Sequence, residues 1–418
     1  MKILLLGSLI SAAQMEQLNS NSKEKASIAP VNYETMLAKG LVENGAKVDA
    51  LSVPAVAAYP HSIYKHIVGK QETIENDIQI QWVPFINIQG LKQLTIKRNV
   101  EKLLEKWLQE NKDVKDKVVL MYSIYPPYTE PAVRLCKKYG CHLSAVITDL
   151  PEYMYSWKNM KGIRGWYSKR LSEKMMELQV KCDSYILFTK PMAAKMGIED
   201  KPYMVSEGFC DASIFNDIPD QEKYPRKTIV YGGNLSRLYG IQNLVKGFMQ
   251  TDLDAELHLY GAGGGDTAFI EECAKQDSRI KFFGRVDRKT LLVALKKAHL
   301  LVVNKPTADD YSNYSFSSKI LEYMASGTPL LTTKVGGMPE EYWEYCYFII
   351  DETYEGVSQA IRSVMGKTAE ELCNQGIRAR EFATEQKNCF IMVKEIADFL
   401  KIQVITQTVD GELNEDQI

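Results

Sequence analysis

Tyr314-Ser-Phe-Ser-Ser-Lys-Ile-Leu-Glu-Tyr-Met-Ala-Ser-Gly-Thr-Pro-Leu-Leu-Thr332 reads as loop, helix, stop and strand. Ser317 and Ser318 are N-cap residue types, able to accept from the orphan N–H groups of a first turn. Ile320, Leu321 and Met324 recur at helical spacing, so one face is buried. Gly327 ends the helix and Pro329 prevents its continuation. Leu330-Leu331 then enters a buried strand. The helix therefore starts at a loop, with Lys319 in its first turn and Glu322 one turn further in. Such an end attracts a phosphate-like anion. A carboxylate one turn deeper suits a ribose diol, so the segment reads as a grip for a nucleoside diphosphate.

Working outward, 418 residues exceed what one core usually holds and imply two domains. The apolar and charged fractions, 45% and 25%, are those of a globular protein. Fifty-one basic residues stand against 53 acidic ones, so bulk charge argues against a nucleic-acid partner. The eight cysteines show no paired spacing and read as reduced, mostly buried and not metal-binding. This places the chain in the cytoplasm. Ile3–Ala13 resembles the apolar part of a short signal peptide, but it reads better as a first strand and its glycine turn, because a helix and the strand Lys47–Val53 follow in βαβ order. No apolar run reaches the ~20 residues of a membrane span.

Apolar strands are expected at Ile3–Leu6, Val48–Val53, Ile78–Val83, Val118–Tyr122, Leu143–Thr148 and Ser184–Phe188. Helices are expected at Tyr33–Asn44, Leu94–Glu110, Glu130–Tyr139 and Lys169–Val180, and a mobile loop at Asn19–Ala26. Buried strands alternating with helices mean a doubly wound parallel sheet. After the linker Lys223–Lys227 the pattern restarts at Thr228–Tyr231 and Gly232-Gly233. It runs through strands at Leu257–Tyr260, Ile280–Phe283, Leu300–Val303, Leu330–Thr333 and Tyr347–Ile350. Helices at Ala369–Glu385 and Cys389–Leu400 close the chain.

The Ser-Lys, aliphatic pair, Glu-Tyr-Met-Ala-Ser-Gly run of 318–327 resembles the donor site of GT-B glycosyltransferases of family 4. It is similar above all to their bacterial capsule and exopolysaccharide branch. Val205–Phe215 resembles that family's signature at the end of the first domain, and Val335–Glu340 its Gly-Gly-x-Pro-Glu turn. The resemblance covers nearly all of the second half and is weak in the first. It implies an α/β GT-B fold, two Rossmann-like doubly wound domains facing a central cleft. Residues 1–222 would bind the acceptor and 223–384 the nucleotide-sugar donor. Residues 385–402 would form a helix crossing back to the first domain, and 403–418 a frayed tail.

The same resemblance implies roles. Of the family's two donor-site glutamates, Glu322 matches the one that contacts the ribose; the other position holds Tyr314. Tyr314 and Phe316 are therefore candidate donor contacts, with Ser317, Ser318 and Lys319 on the diphosphate. The family's pyrophosphate Arg and Lys fall on Asn234 and Tyr239, so Arg237 or Lys319 is expected to supply the missing cation beside Gly233. Charge-assisted hydrogen bonds contribute roughly 1.5–3 kcal/mol each, and a diphosphate site without any would be weak. Arg285 and Val286, after the third strand, are candidate base contacts. The turn Gly261–Asp266 fails the dinucleotide fingerprint, since Asp266 takes the place of its last glycine.

Asp149 lies just past a strand's carboxyl end, where ligands of open α/β sheets collect. It reads equally as a catalytic base or acceptor-orienting group and as a turn Asp. Gly7 and Ser8 are expected to face the same acceptor. His299 reads as packing. Asp309-Asp310 lacks the Asp-x-Asp form of a metal site, so no catalytic metal and no cofactor are expected. Lys158, Lys161, Arg164, Lys169, Arg170, Lys174 and Lys181, interleaved with Trp157, Trp166 and Tyr167, suit the anionic inner leaflet of a membrane. The basic helix Lys92–Lys106 would extend that face.

The expected activity is transfer of a sugar from a nucleotide-diphosphate donor to a saccharide acceptor. The acceptor would be lipid-linked, in cell-surface polysaccharide synthesis, with retention of configuration. The alternatives are a nucleotide-sugar epimerase or hydrolase of the same fold, and a non-catalytic partner subunit.

Overall fold

A computed structural model describes residues 1–154, 162–219, 221–262 and 265–415. The chain divides into two compact units, Met1–Glu207 with Cys389–Ile418, and Gly208–Asn388. The first unit thus ends before the expected position 222.

The first unit is built on an eight-stranded sheet. Its order is Tyr203–Val205, Ser184–Leu187, His142–Ile147, Lys117–Tyr122, Lys2–Gly7, Lys47–Ser52, Ile78–Trp82 and Gln71–Ile74. All neighbours are parallel except the last pair. Strands such as Ile-Leu-Leu-Leu at 3–6 are apolar at every position because both faces are covered. Gln71–Ile74 escapes a reading by apolar runs, being a polar edge strand. Lys2–Gly7 pairs with Lys47–Ser52 on one side and Lys117–Tyr122 on the other. The chain therefore reverses its winding there, and the carboxyl end of that strand opens into the sheet's ligand crevice.

Several helix boundaries differ from expectation: the helix expected from Lys169 runs Gly162–Leu178, and the one expected from Tyr33 begins at Ala29. The helix at 130 starts at Pro126, because Pro126 and Pro127 occupy first-turn positions that need no amide hydrogen. Ala12–Ser20 is helical, and the expected mobile loop is stapled: the Ala26 N–H donates to Asn19 Oδ1 at 2.8 Å. The last helix, Cys389–Glu415, runs on past 402 into the segment expected to fray. It docks on helix Ala29–Glu43, where Gly40 leaves room for it. A Cβ on Gly40 would lie 2.7 Å from Val393 Cβ. Asn44 also donates to the Phe390 carbonyl at 3.1 Å.

The second unit holds six parallel strands in the order Ile280–Gly284, Ala255–Ala262, Lys227–Asn234, Leu300–Val303, Leu330–Thr333 and Tyr347–Ile349. Alternate residues feed separate cores: Val230, Leu301 and Val303 one, Ile229, Tyr231, Leu300 and Val302 the other. Side chains along a strand alternate faces, so these are the two sides of the sheet. The winding reverses between Lys227–Asn234 and Leu300–Val303, which puts Gly232-Gly233 at the crevice. His299 is structural: its Nδ1 accepts the Thr228 N–H at 3.1 Å, and burial lowers its pKa, keeping the ring neutral.

Candidate donor and acceptor sites

In the second unit the opening helix forms over Ser318–Ala325, with Ser317 at the N-cap in extended conformation. Neither expected serine cap is made by a side chain: the Ser317 hydroxyl accepts nothing from the first turn. The first N–H groups of a helix have no intrahelical partner. Here the Ile320 N–H donates to the Ser317 carbonyl at 2.9 Å, and the N–H groups of Ser318 and Lys319 receive no side-chain cap. Ile320, Leu321 and Met324 enter the core as their spacing requires.

Tyr323 fixes this helix to the glycine turn. Its buried hydroxyl accepts the Gly232 N–H at 2.7 Å and donates to the Gly232 carbonyl at 2.9 Å. One phenol thus pairs both backbone polar groups of a single residue. Gly233 follows with φ +152°. A Cβ there would stand 2.1 Å from Lys319 Cε, so the lysine chain lies directly on the glycine. Gly261, paired to Gly233 in the next strand, has no room either: a Cβ would meet the Gly233 carbonyl oxygen at 1.8 Å.

Lys319 points its ammonium over the Tyr239 ring, 5.1 Å from the centroid. Among the described residues that ammonium makes no hydrogen bond; the opposite charge facing it is Glu322. Burial lowers its pKa and Glu322 partly restores it. Glu322 is held by Arg288, 2.5 Å from Nη2 to Oε2. Arg288 lies 34 positions away in sequence, and no local pattern signals it.

The structure thus brings Gly233, Lys319 and Glu322 together with Tyr239, Tyr323 and Arg288. Ser318 is exposed, and Ser317 and Tyr314 are half-buried at the loop before the helix. Phe316 differs: its side chain is packed in the core against Tyr342, ring centroids 5.1 Å apart, leaving a ligand only its backbone. Arg237 is exposed, and its guanidinium makes no hydrogen bond or ion pair among the described residues. Arg285 is also exposed, and Val286 packs against the core.

In the first unit, Gly7 and Ser8 stand at the carboxyl end of the first strand, against a residue not expected there. Glu34, 2% exposed, accepts the Ser8 N–H at 3.0 and 2.9 Å on its two oxygens and the Ser8 hydroxyl at 2.6 Å. Burial pushes its pKa to about 7, against the opposing pull of the Ser8 and Leu9 hydrogen bonds. Asp149 is half-buried and Thr148 Oγ1 lies 3.5 Å from its Oδ2; Thr148 also bonds the buried Tyr122 hydroxyl. Glu34 and Asp149 both act electrostatically on Tyr122, which places them around one phenol. The described residues contain no group of three or more His, Cys, Asp or Glu placed to hold a metal.

Residues 226–367 match the model of the family described as "Glycosyl transferases group 1". N-acetyl-alpha-D-glucosaminyl L-malate synthase of Bacillus anthracis is 31% identical over 168 residues, 38% of this chain and 41% of that protein. The chain thus spans less than half the length of this relative. Among solved structures, sucrose-phosphate synthase from Thermosynechococcus elongatus superposes with a TM-score of 0.62 at 15% identity, covering 97% of this chain and 100% of that one. HepE of Anabaena, in complex with UDP, gives 0.60 at 15% identity over 96% and 99%. The fold is that of GT-B glycosyltransferases. Its second unit carries a glycosyl transferases group 1 domain.

Proposed function

We propose that the protein transfers a sugar from a nucleotide-diphosphate donor to a saccharide acceptor. The observation that carries this reading is the Lys319 ammonium, hydrogen-bonded to no described residue and set on the glycine turn at a helix N-terminus. Ligand-free, it is a cation that burial opposes. A diphosphate would supply the missing acceptors, and preorganised charge of this kind stabilises a departing diphosphate. Glu322, one turn deeper and oriented by Arg288, would hold the ribose. Arg237 would be a second cation for the diphosphate, and Arg285 and Val286 would contact the base. Asp149 would orient the acceptor hydroxyl. By resemblance to family 4 enzymes, which retain configuration, the departing phosphate itself would take the acceptor proton, without metal or cofactor.

The acceptor we infer is lipid-linked, in capsule or exopolysaccharide synthesis at the cytoplasmic face of the membrane. Trp166 and Tyr167 are exposed on helix Gly162–Leu178 of the first unit. Leu94, Lys97, Tyr167 and Arg170 line one groove of about 250 Å³, so this helix and Lys92–Glu110 share a face. Lys92 itself turns inward, donating to the Val56 carbonyl at 2.5 Å. Lys169 and Lys174 have glutamate partners on their own helix. Trp157, Lys158 and Lys161 lie outside the described residues, as does the Arg164 side chain. No helix among the described residues is long and apolar enough to cross a membrane.

The test is thermal-shift binding of UDP, GDP, dTDP and CMP to the protein and to Glu322→Ala. A ligand at 100 times its dissociation constant adds about 2.7 kcal/mol of stability. Stabilisation by one diphosphate, lost in the variant, is expected. No response to any nucleotide would sink the reading.

A further inference from the structure

Glu34 is a buried carboxylate to which sugar transfer assigns no task. It reaches from helix Ala29–Glu43 to the turn after the first strand, 26 positions away in sequence. There it collects the Ser8 N–H on both oxygens, the Ser8 hydroxyl, and the Leu9 N–H. Gly7 leaves it space: a Cβ on that residue would stand 2.2 Å from Glu34 Oε2. Successive backbone N–H groups converging at the carboxyl end of a strand make a concavity for an anion. In this chain the concavity is filled from within.

We propose that the Gly7–Leu9 turn is an anion receptor already occupied by the chain's own Glu34 carboxylate, so that this end of the strand admits a neutral, hydroxyl-bearing group and turns oxyanions away. What it says of the acceptor rests on the transfer reading; what it says of the turn does not. An incoming phosphate or carboxylate would need the two N–H groups that Glu34 holds, and in either protonation state the Glu34 oxygens keep them. Above pH 7, where Glu34 is ionised, it would also stand against a second negative charge in a buried place. A sugar hydroxyl both donates and accepts, so it can meet the outer lone pairs of this cluster without displacing anything.

Removing the carboxylate should reopen the receptor. E34A is titrated with sodium formate at pH 7, with ionic strength held constant by chloride. Formate near ten times its dissociation constant should raise the melting temperature of E34A by about 2–4 °C. Wild type should not move, and neither should E34Q, whose amide still fills the turn. A formate response of E34A no larger than that of wild type overturns the proposal. A second measurement needs no variant: hydrogen exchange of the wild-type peptide spanning Gly7–Leu9, with and without inorganic phosphate. Unchanged exchange is expected, and slowing by phosphate would show a turn open to oxyanions. Neither readout involves a nucleotide, so failure here leaves the donor site standing, and failure of nucleotide binding leaves this turn as described.

Discussion

Lys319 is an ammonium whose burial works against its own charge and whose nearest counter-charge, Glu322, is already paired with Arg288. A bound diphosphate would restore its pKa, so binding should take up protons. Affinity for the preferred diphosphate is therefore expected to fall as pH rises toward the ordinary lysine range. K319M should bind about 10–100-fold more weakly, the loss of one or two charge-assisted hydrogen bonds, and its affinity should no longer depend on that titration. Calorimetric titration at several pH values checks both, and an unchanged affinity in K319M would remove Lys319 from the site. Glu34 makes the opposite kind of prediction. Its folded pKa is about 7, raised from 4.5. The folded state thus holds a proton that the unfolded state gives up, so this contribution to stability is complete below pH 4.5 and is lost as pH rises through 7. At about 1.4 kcal/mol per pH unit the loss is roughly 3 kcal/mol. Denaturant melts of E34Q should lack this decline, and a wild-type curve flat across the window would refute it.

At the scale of elements, the second unit was legible because its signals are local. A helix, its glycine stop, a proline and an apolar strand follow one another within 314–332, and each is fixed by neighbours in sequence. What escaped was long-range. Arg288 meets Glu322 across 34 positions, and Glu34 meets Ser8 across 26, with no spacing to announce either. Phe316, proposed as a donor contact, is drawn into the core because Tyr342 and Phe382 build an aromatic cluster that only the fold assembles. Tyr323 lies in the motif at a buried helical position, where a tyrosine reads as packing. Its hydroxyl is the tie between helix and glycine turn. Y323F should leave the Gly232 N–H and carbonyl unpaired and cost about 1–3 kcal/mol. Thermal melts give the stability loss, and diphosphate titration should show weaker binding as the turn loosens. A variant as stable as wild type would mean that the turn holds itself.

On the scale of the whole molecule, two units with separate cores should report ligands separately. Differential scanning calorimetry with a saturating diphosphate is expected to raise the transition of the second unit, which carries Lys319 and Glu322, and leave a transition of the first in place. Limited proteolysis identifies which is which; uniform protection of both would contradict a donor site confined to one. The exposed aromatic pair belongs to the first unit. W166A/Y167A should sediment less with vesicles containing anionic lipid than wild type does, while still binding nucleotide. Equal sedimentation would remove these rings from any membrane contact.

The terminal helix has a consequence for how the protein is born. Gly208–Asn388 is one uninterrupted stretch, whereas the first unit needs Cys389–Glu415 to cover helix Ala29–Glu43 beside Gly40 and Asn44. Synthesis runs from the amino end, and domains fold as units while the chain emerges. The unit that begins first must therefore wait, with an apolar helix face uncovered, until the second unit has been made and the last helix has left the ribosome. Premature termination between 208 and 388 would release a first half without the helix that completes it.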